Sequence, residues 1–274
     1  MLLGCDFSSS PTRRKPIVLA LGRLHGSAVH LERFERFTAL PDFGAWLAQP
    51  GDWVGGFDLP FGLPRELVLA LGWPTDWAAC MAHYAGFTRA QLRALFQAFC
   101  AGRSVGGKFA HRATDGPAGA SPSMKWVNPP VAWMLHAGVP LLRAAGVHLP
   151  GLADGDGRRV ALEAYPGLLA REALGGRRSY KSDDPKRQTP ARHQARADLM
   201  AALCAGEGAR RLGLRLVAAP ALHAAMVDDA SGDLLDATLC MVQAGWAQGQ
   251  HAAGDPRFGM PADCDPLEGW ILTA

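Results

Sequence analysis

The chain opens with MLLGCDFSSS, an apolar run from Met1 to Cys5 that stops at Asp6 and gives way to Ser8, Ser9 and Ser10. This is the pattern of a buried strand that delivers polar groups at its end. Ile17 to Leu24 and Ala28 to Phe37 read as two further strands, joined by a hairpin turn at His25 and Gly26. Pro41 to Gln49 reads as a short helix, and Trp53 to Phe57 as a fourth strand that ends at Asp58, Leu59 and Pro60. Three strands, a helix and a strand predict a mixed sheet in an α/β protein.

Beyond the fourth strand the pattern turns helical. Pro64 opens one helix, and Thr88 with Gln91 forms a capping box for another that ends near Cys100 and Gly102. Residues from about 65 to 150 are therefore expected to form a helical insertion in what is otherwise one domain spanning 1–274. The segment from Gly102 to Lys125 reads as a long polar loop. Arg159 to Ala164 predicts a fifth strand carrying Glu163, followed by a helix from Gly167 to Leu174. Thr189, Pro190 and Gly206 bracket another helix with N-cap, first-turn proline and terminal glycine in place. A last helix is expected from Gly232 to about Ala247, with Leu235, Leu239, Val242 and Trp246 on one face.

With 49% hydrophobic and 19% charged residues among 274, the composition excludes a disordered chain and allows a large core. The six cysteines, at 5, 80, 100, 204, 240 and 264, form no CxxC pair, so reduced thiols in a cytoplasmic protein are expected, with no sulfur-held metal. No export signal and no membrane span are read, because no stretch approaches roughly 18 uninterrupted apolar residues.

Acidic residues stand where chemistry is often delivered: Asp6 and Asp58 at strand ends, Glu163 in a strand, and Asp233 and Asp236 one helical turn apart. Aspartate favours strand ends and helix N-termini on its own account. Asp6 and Asp58, however, sit between apolar neighbours (Cys5 and Phe7; Phe57 and Leu59), and enclosed carboxylates need a cation. An all-oxygen set of this kind suits Mg2+ or Mn2+, and a pair of such ions activates water and stabilises a leaving oxygen in phosphodiester hydrolysis.

The segments GCDFSSS (Gly4–Ser10), GGFDLPFGLPR (Gly55–Arg65), LEAYPG (Leu162–Gly167) and GDLLDA (Gly232–Ala237), in this order and with the SPSMKWVNPPVAWM stretch from Ser121, together resemble a family of predicted RNase H-like nucleases. The resemblance covers essentially the whole chain. It implies an RNase H-like mixed five-stranded sheet flanked by helices, in which acids from the first strand, the fourth strand and the last helix meet at one edge. Carried over, these are Asp6, Asp58 and Asp236, with Glu163 from the strand after the insertion as a further catalytic acid and Asp233 as an adjoining metal ligand.

Other motifs carry less. Gly102, Gly107 and Lys108 fit GxxxxGK, but Phe109 stands where a P-loop needs serine or threonine, leaving at most a glycine loop that presents Lys108 to an anion. There is no HExxH. Trp126 and Trp133 read as packing residues before stacking platforms. From Arg171 to Arg196, eight basic residues face three acidic ones, a net +5, while the rest of the chain nets about −2. Within that window Lys181, Arg192 and Arg196 are candidate phosphate ligands, the two arginines by their i, i+4 spacing. The expected activity is therefore metal-dependent cleavage of DNA or RNA. Two rivals use the same sheet: a phosphotransferase of the actin-like superfamily, weakened by the lack of a second phosphate loop, and a nucleic-acid-binding module without turnover.

Overall fold

The computed structural model describes residues 1–206 and 210–274. Seven strands form one mixed sheet in the order β5-β6-β4-β1-β2-β3-β7. They are β1 (Leu2–Asp6), β2 (Ile17–His25), β3 (Ala28–Phe37), β4 (Trp53–Asp58), β5 (Val147–His148), β6 (Asp156–Glu163) and β7 (Arg215–Ala218). β1, β2 and β3 are antiparallel neighbours; the other pairings, β1 with β4 and β4 with β6 among them, are parallel. Five of these strands answer the sequence expectation, and β5 and β7 are additions. Two and four residues long, they are too short for alternation to register.

The β2–β3 turn lies one residue later than expected. His25 pairs with Ala28, so Gly26 and Ser27 make the turn, and Gly26 supplies the positive φ of 58° it requires.

Ten α-helices flank the sheet among the described residues: α1 (Leu40–Leu47), α2 (Arg65–Ala70), α3 (Trp77–Ala85), α4 (Arg89–Ala101), α5 (Asp115–Ala118), α6 (Val131–Ala144), α7 (Pro166–Ala173), α8 (Pro190–Ala205), α9 (Pro220–Asp228) and α10 (Asp233–Ala252). The Thr88 capping box opens α4, and Thr189 caps α8 by accepting from the Arg192 amide. Alternation along β1 divides the core in two. Leu3 and Cys5 face one side, where they join Ile17, Leu19 and Leu21 against α1 and the helices of the 65–150 segment. Leu2 faces the other, with Val18 and Ala20 against α8 and α10. Trp126 and Trp133 are buried in the first of these clusters, which makes both of them packing residues.

Candidate functional site

β1 and β4 run parallel in a register that pairs Gly4 with Gly56 and Asp6 with Asp58. Neighbouring strands lie about 4.8 Å apart, and paired residues point to the same face. The two aspartates therefore emerge side by side from the ends of the two central strands. The glycines two residues earlier explain what lies above them. A Cβ at Gly4 would come 2.0 Å from the Ala237 carbonyl oxygen, and one at Gly56 would come 2.4 Å from that of Cys240. Helix α10 thus rests directly on backbone at both strands, as only glycine permits. Its first turn, carrying Asp233 and Asp236, is brought down beside Asp6 and Asp58. The repeated Gly-x-Asp of Gly4–Asp6 and Gly56–Asp58 is a signal for this close approach that strand patterning alone does not use.

Asp6, Asp233 and Asp236 are buried and Asp58 is half-buried. Burial, reinforced by the Asp236 charge, pushes the Asp6 carboxyl well above the ordinary carboxylate range. Asp58 is raised to about 7, chiefly by burial, with Lys181 opposing and Asp236 and Glu163 adding to the effect. Asp233 is also raised by burial, against the pull of Lys15.

Two lysines answer this concentrated charge. Lys15 Nζ lies 2.6 Å from Asp233 Oδ1 and 3.0 Å from Asp183 Oδ1. Lys181 Nζ donates to Asp236 Oδ2, while Tyr180 Oη donates to Asp236 Oδ1 at 2.5 Å. The segment that supplies Tyr180 and Lys181 is pinned to the turn before α10: Ser182 N donates to the Ala230 carbonyl at 3.1 Å, and Gln188 Nε2 to the same oxygen at 2.8 Å.

Glu163 is placed differently from the sequence expectation. It pairs with Phe57, one residue out of phase with Asp58, so its side chain leaves the opposite face of the sheet. It is 4% exposed, and Arg112 grips both its oxygens, at 2.6 Å and 2.8 Å, while Phe61 N donates to Oε2 at 2.9 Å. Arg112 also binds Asp115 and the Glu268 carbonyl, which spends all its donors. Glu163 borders the same cleft as Asp58 but is committed to this buried ion pair.

The four candidate phosphate ligands also separate. Lys181 stands at the carboxylates. Lys108 is exposed in the loop after α4, where Arg103 Nε donates to the neighbouring Gly107 carbonyl at 2.8 Å, and no contact among the described residues joins it to the acidic group. Arg192 is half-buried and donates to the Arg187 carbonyl. Arg196, 3% exposed, cannot clamp a phosphate with it. Its Nε donates to the Val227 carbonyl at 2.6 Å and its Nη1 to that of Tyr180 at 2.8 Å, so it braces the Tyr180–Lys181 segment from beneath.

Asp6, Asp58, Asp233 and Asp236 form a hard, all-oxygen donor set whose buried negative charge calls for a cation. Among the described residues no three acidic, thiol or imidazole groups converge in a metal-holding arrangement, and the ammonium groups of Lys15 and Lys181 stand among the acids. The residues present fit a divalent cation in kind, provided the lysines withdraw. No family model matches the chain, and no curated protein or solved structure matches it. Among the described residues no helix is long and apolar enough to cross a membrane.

Proposed function

We propose that the protein is a Mg2+- or Mn2+-dependent nuclease or phosphodiesterase on an RNase H-like sheet. The observation that carries this reading is the pairing of Asp6 with Asp58 at the ends of adjacent parallel strands, beneath the first turn of α10 that bears Asp236. First strand, fourth strand and last helix are the three elements whose acids the resemblance names. Asp6, Asp58 and Asp236 would hold the cation and Asp233 would supplement them. The cation would supply Lewis-acid polarisation of a phosphoryl oxygen and activation of water.

The chain's own residues do the rest. Tyr180 fixes the Asp236 carboxylate through its hydroxyl. Lys181 and Lys15, drawn off the acids when a divalent cation binds, are left at the rim with free ammonium groups to receive an anionic substrate. The test is cleavage of single- and double-stranded DNA and RNA with Mg2+, Mn2+ or chelator. Products that require the ion support the reading, and no product from any substrate with either ion removes it.

A second reading has its own support. Lys15 and Lys181 already neutralise two of the four acids, as they would in a nucleic-acid-binding module without turnover. Such a module binds its ligand equally well in chelator and gives no product.

A further inference from the structure

Two cavities meet at Asp58. One, of about 300 Å3, is walled by Leu59, Pro60, Pro129, Val131, Met134 and Ile271. The other, of about 380 Å3, runs past Arg171, Arg177, Arg178 and Lys181. Asp58, Ser121, Tyr165 and Lys181 border both, so the cavities are an apolar arm and a basic arm of one cleft with a candidate reactive carboxylate at the elbow.

Tyr165 stands at that elbow. Its ring is half-buried, with the Arg171 guanidinium 5.9 Å from its centroid. Gly167 keeps the space it occupies: a Cβ there would come 2.7 Å from the ring Cζ and hydroxyl oxygen. On the basic arm, Arg177 is exposed and has no ion-pair partner among the described residues, whereas Arg178 is paired with Asp198. Beneath the apolar arm, the Arg112–Glu163 pair offers nothing unspent, because every Arg112 donor is engaged.

We infer that this cleft binds single-stranded nucleic acid, with one base seated in the apolar arm beside Tyr165 and the sugar-phosphate chain running out along Arg177 and Arg178. The inference rests on the phosphodiester reading for the class of ligand and adds its form. A pocket at the small end of the roughly 300–1,000 Å3 range of ligand sites suits one flat, apolar group, and the neighbouring positive charge suits phosphate. A base still paired and stacked in a duplex cannot enter a walled pocket; it must already be unstacked. Stacking on an aromatic ring tolerates every base, and the largely saturated floor leaves only a few polar groups, the Ser121 hydroxyl, Asp58 and Lys181 among them, for a base edge. Binding is therefore expected to show little sequence preference.

The test is fluorescence anisotropy in chelator, so that no cleavage intervenes, with a labelled mixed-sequence single strand, the same strand carrying abasic sites throughout, its duplex, and a mononucleotide as competitor. The wild type should bind the single strand on the order of tenfold more tightly than the abasic strand or the duplex, and the mononucleotide should compete only weakly. Met134→Trp, which fills the apolar arm, and Tyr165→Ala should each remove most of that tenfold preference while leaving abasic binding unchanged. Arg177→Ala, at an exposed position that folding does not depend on, should weaken both strands alike and reduce the salt slope by about one counterion.

Equal binding of abasic and base-bearing strands by the wild type, tighter binding of duplex, or a mononucleotide that competes as well as the strand would each overturn the inference. Base-dependent binding without metal-dependent cleavage would sink the nuclease reading and leave the cleft assignment standing. Cleavage without base dependence would do the reverse.

Discussion

The Lys181 ammonium group rests on Asp236 Oδ2, so the carboxylate that the last helix delivers to the strand ends is already satisfied by a cation from the chain itself. On the proposed metal-dependent reading, a divalent ion and this lysine would compete for the same oxygen. Lys181→Gln should therefore bind Mn2+ several-fold more tightly by calorimetric titration, and should melt lower than wild type without metal because Asp236 loses its counter-charge. Unchanged Mn2+ affinity would mean that Asp236 is not a ligand.

Asp58 gives the apoprotein a pH dependence whose sign is set by burial. Its carboxyl is raised to about 7, above its unfolded value near 4, so the folded state favours the protonated form. Stability from this group is fully present below about pH 4 and is lost as the pH rises through about 7. Asp58→Asn should accordingly stabilise the metal-free protein at pH 8, by on the order of 2 kcal/mol after allowance for its partial exposure, and should be nearly neutral at pH 4. If Asp58 is a metal ligand as proposed, saturating Mn2+ should reverse the order at pH 8. Chemical denaturation at the two pH values checks this.

The Arg112–Glu163 pair is expected to act on stability and not on metal. Arg112→Ala leaves Glu163 and Asp115 buried without a counter-charge and should cost about 3–5 kcal/mol. Glu163→Gln keeps the Phe61 bond and should cost about 1–3 kcal/mol while leaving Mn2+ affinity unchanged. A tenfold loss of Mn2+ affinity in Glu163→Gln would return this residue to the metal set.

Arg192 and Arg196 should part company. Arg196→Ala strands two buried carbonyls, those of Val227 and Tyr180, and should destabilise by about 1–3 kcal/mol. Arg192→Ala, which removes only a solvent-exposed bond to the Arg187 carbonyl, should stay within about 0.5 kcal/mol of wild type. Equal effects from the two substitutions would contradict the bracing role of Arg196.

The strand-end acids were legible in the sequence because an apolar run that stops at an aspartate is a local pattern, and Asp6 and Asp58 each display it. What joins them was not local. Lys15 meets Asp233 across 218 residues, and no spacing rule reports such a pair. The face from which Glu163 leaves the sheet was not legible for a related reason: it depends on the β4–β6 register, and a shift of one residue exchanges the faces. Arg196 was open to a better reading. It precedes Leu199, Met200 and Leu203 by three, four and seven positions and so lies on the apolar stripe of α8, although its i, i+4 spacing from Arg192 pointed to a shared exposed face. The helical segment after the fourth strand was visible from caps and composition, whereas the short β5 and β7 lay below what periodicity resolves.

The most direct measurement is the metal-dependent cleavage of a panel of single- and double-stranded DNA and RNA by wild type and by Asp6→Asn, with melting curves of both in chelator. Asparagine keeps the size of Asp6 but removes one buried negative charge from beside Asp58 and Asp236. The expected result is a wild type that cleaves with Mg2+ or Mn2+ and a variant that does not, yet melts as high or higher without metal because repulsion among the carboxylates is relieved. A variant that cleaves as well as wild type, or a wild type that leaves the whole panel intact with both ions, would contradict it.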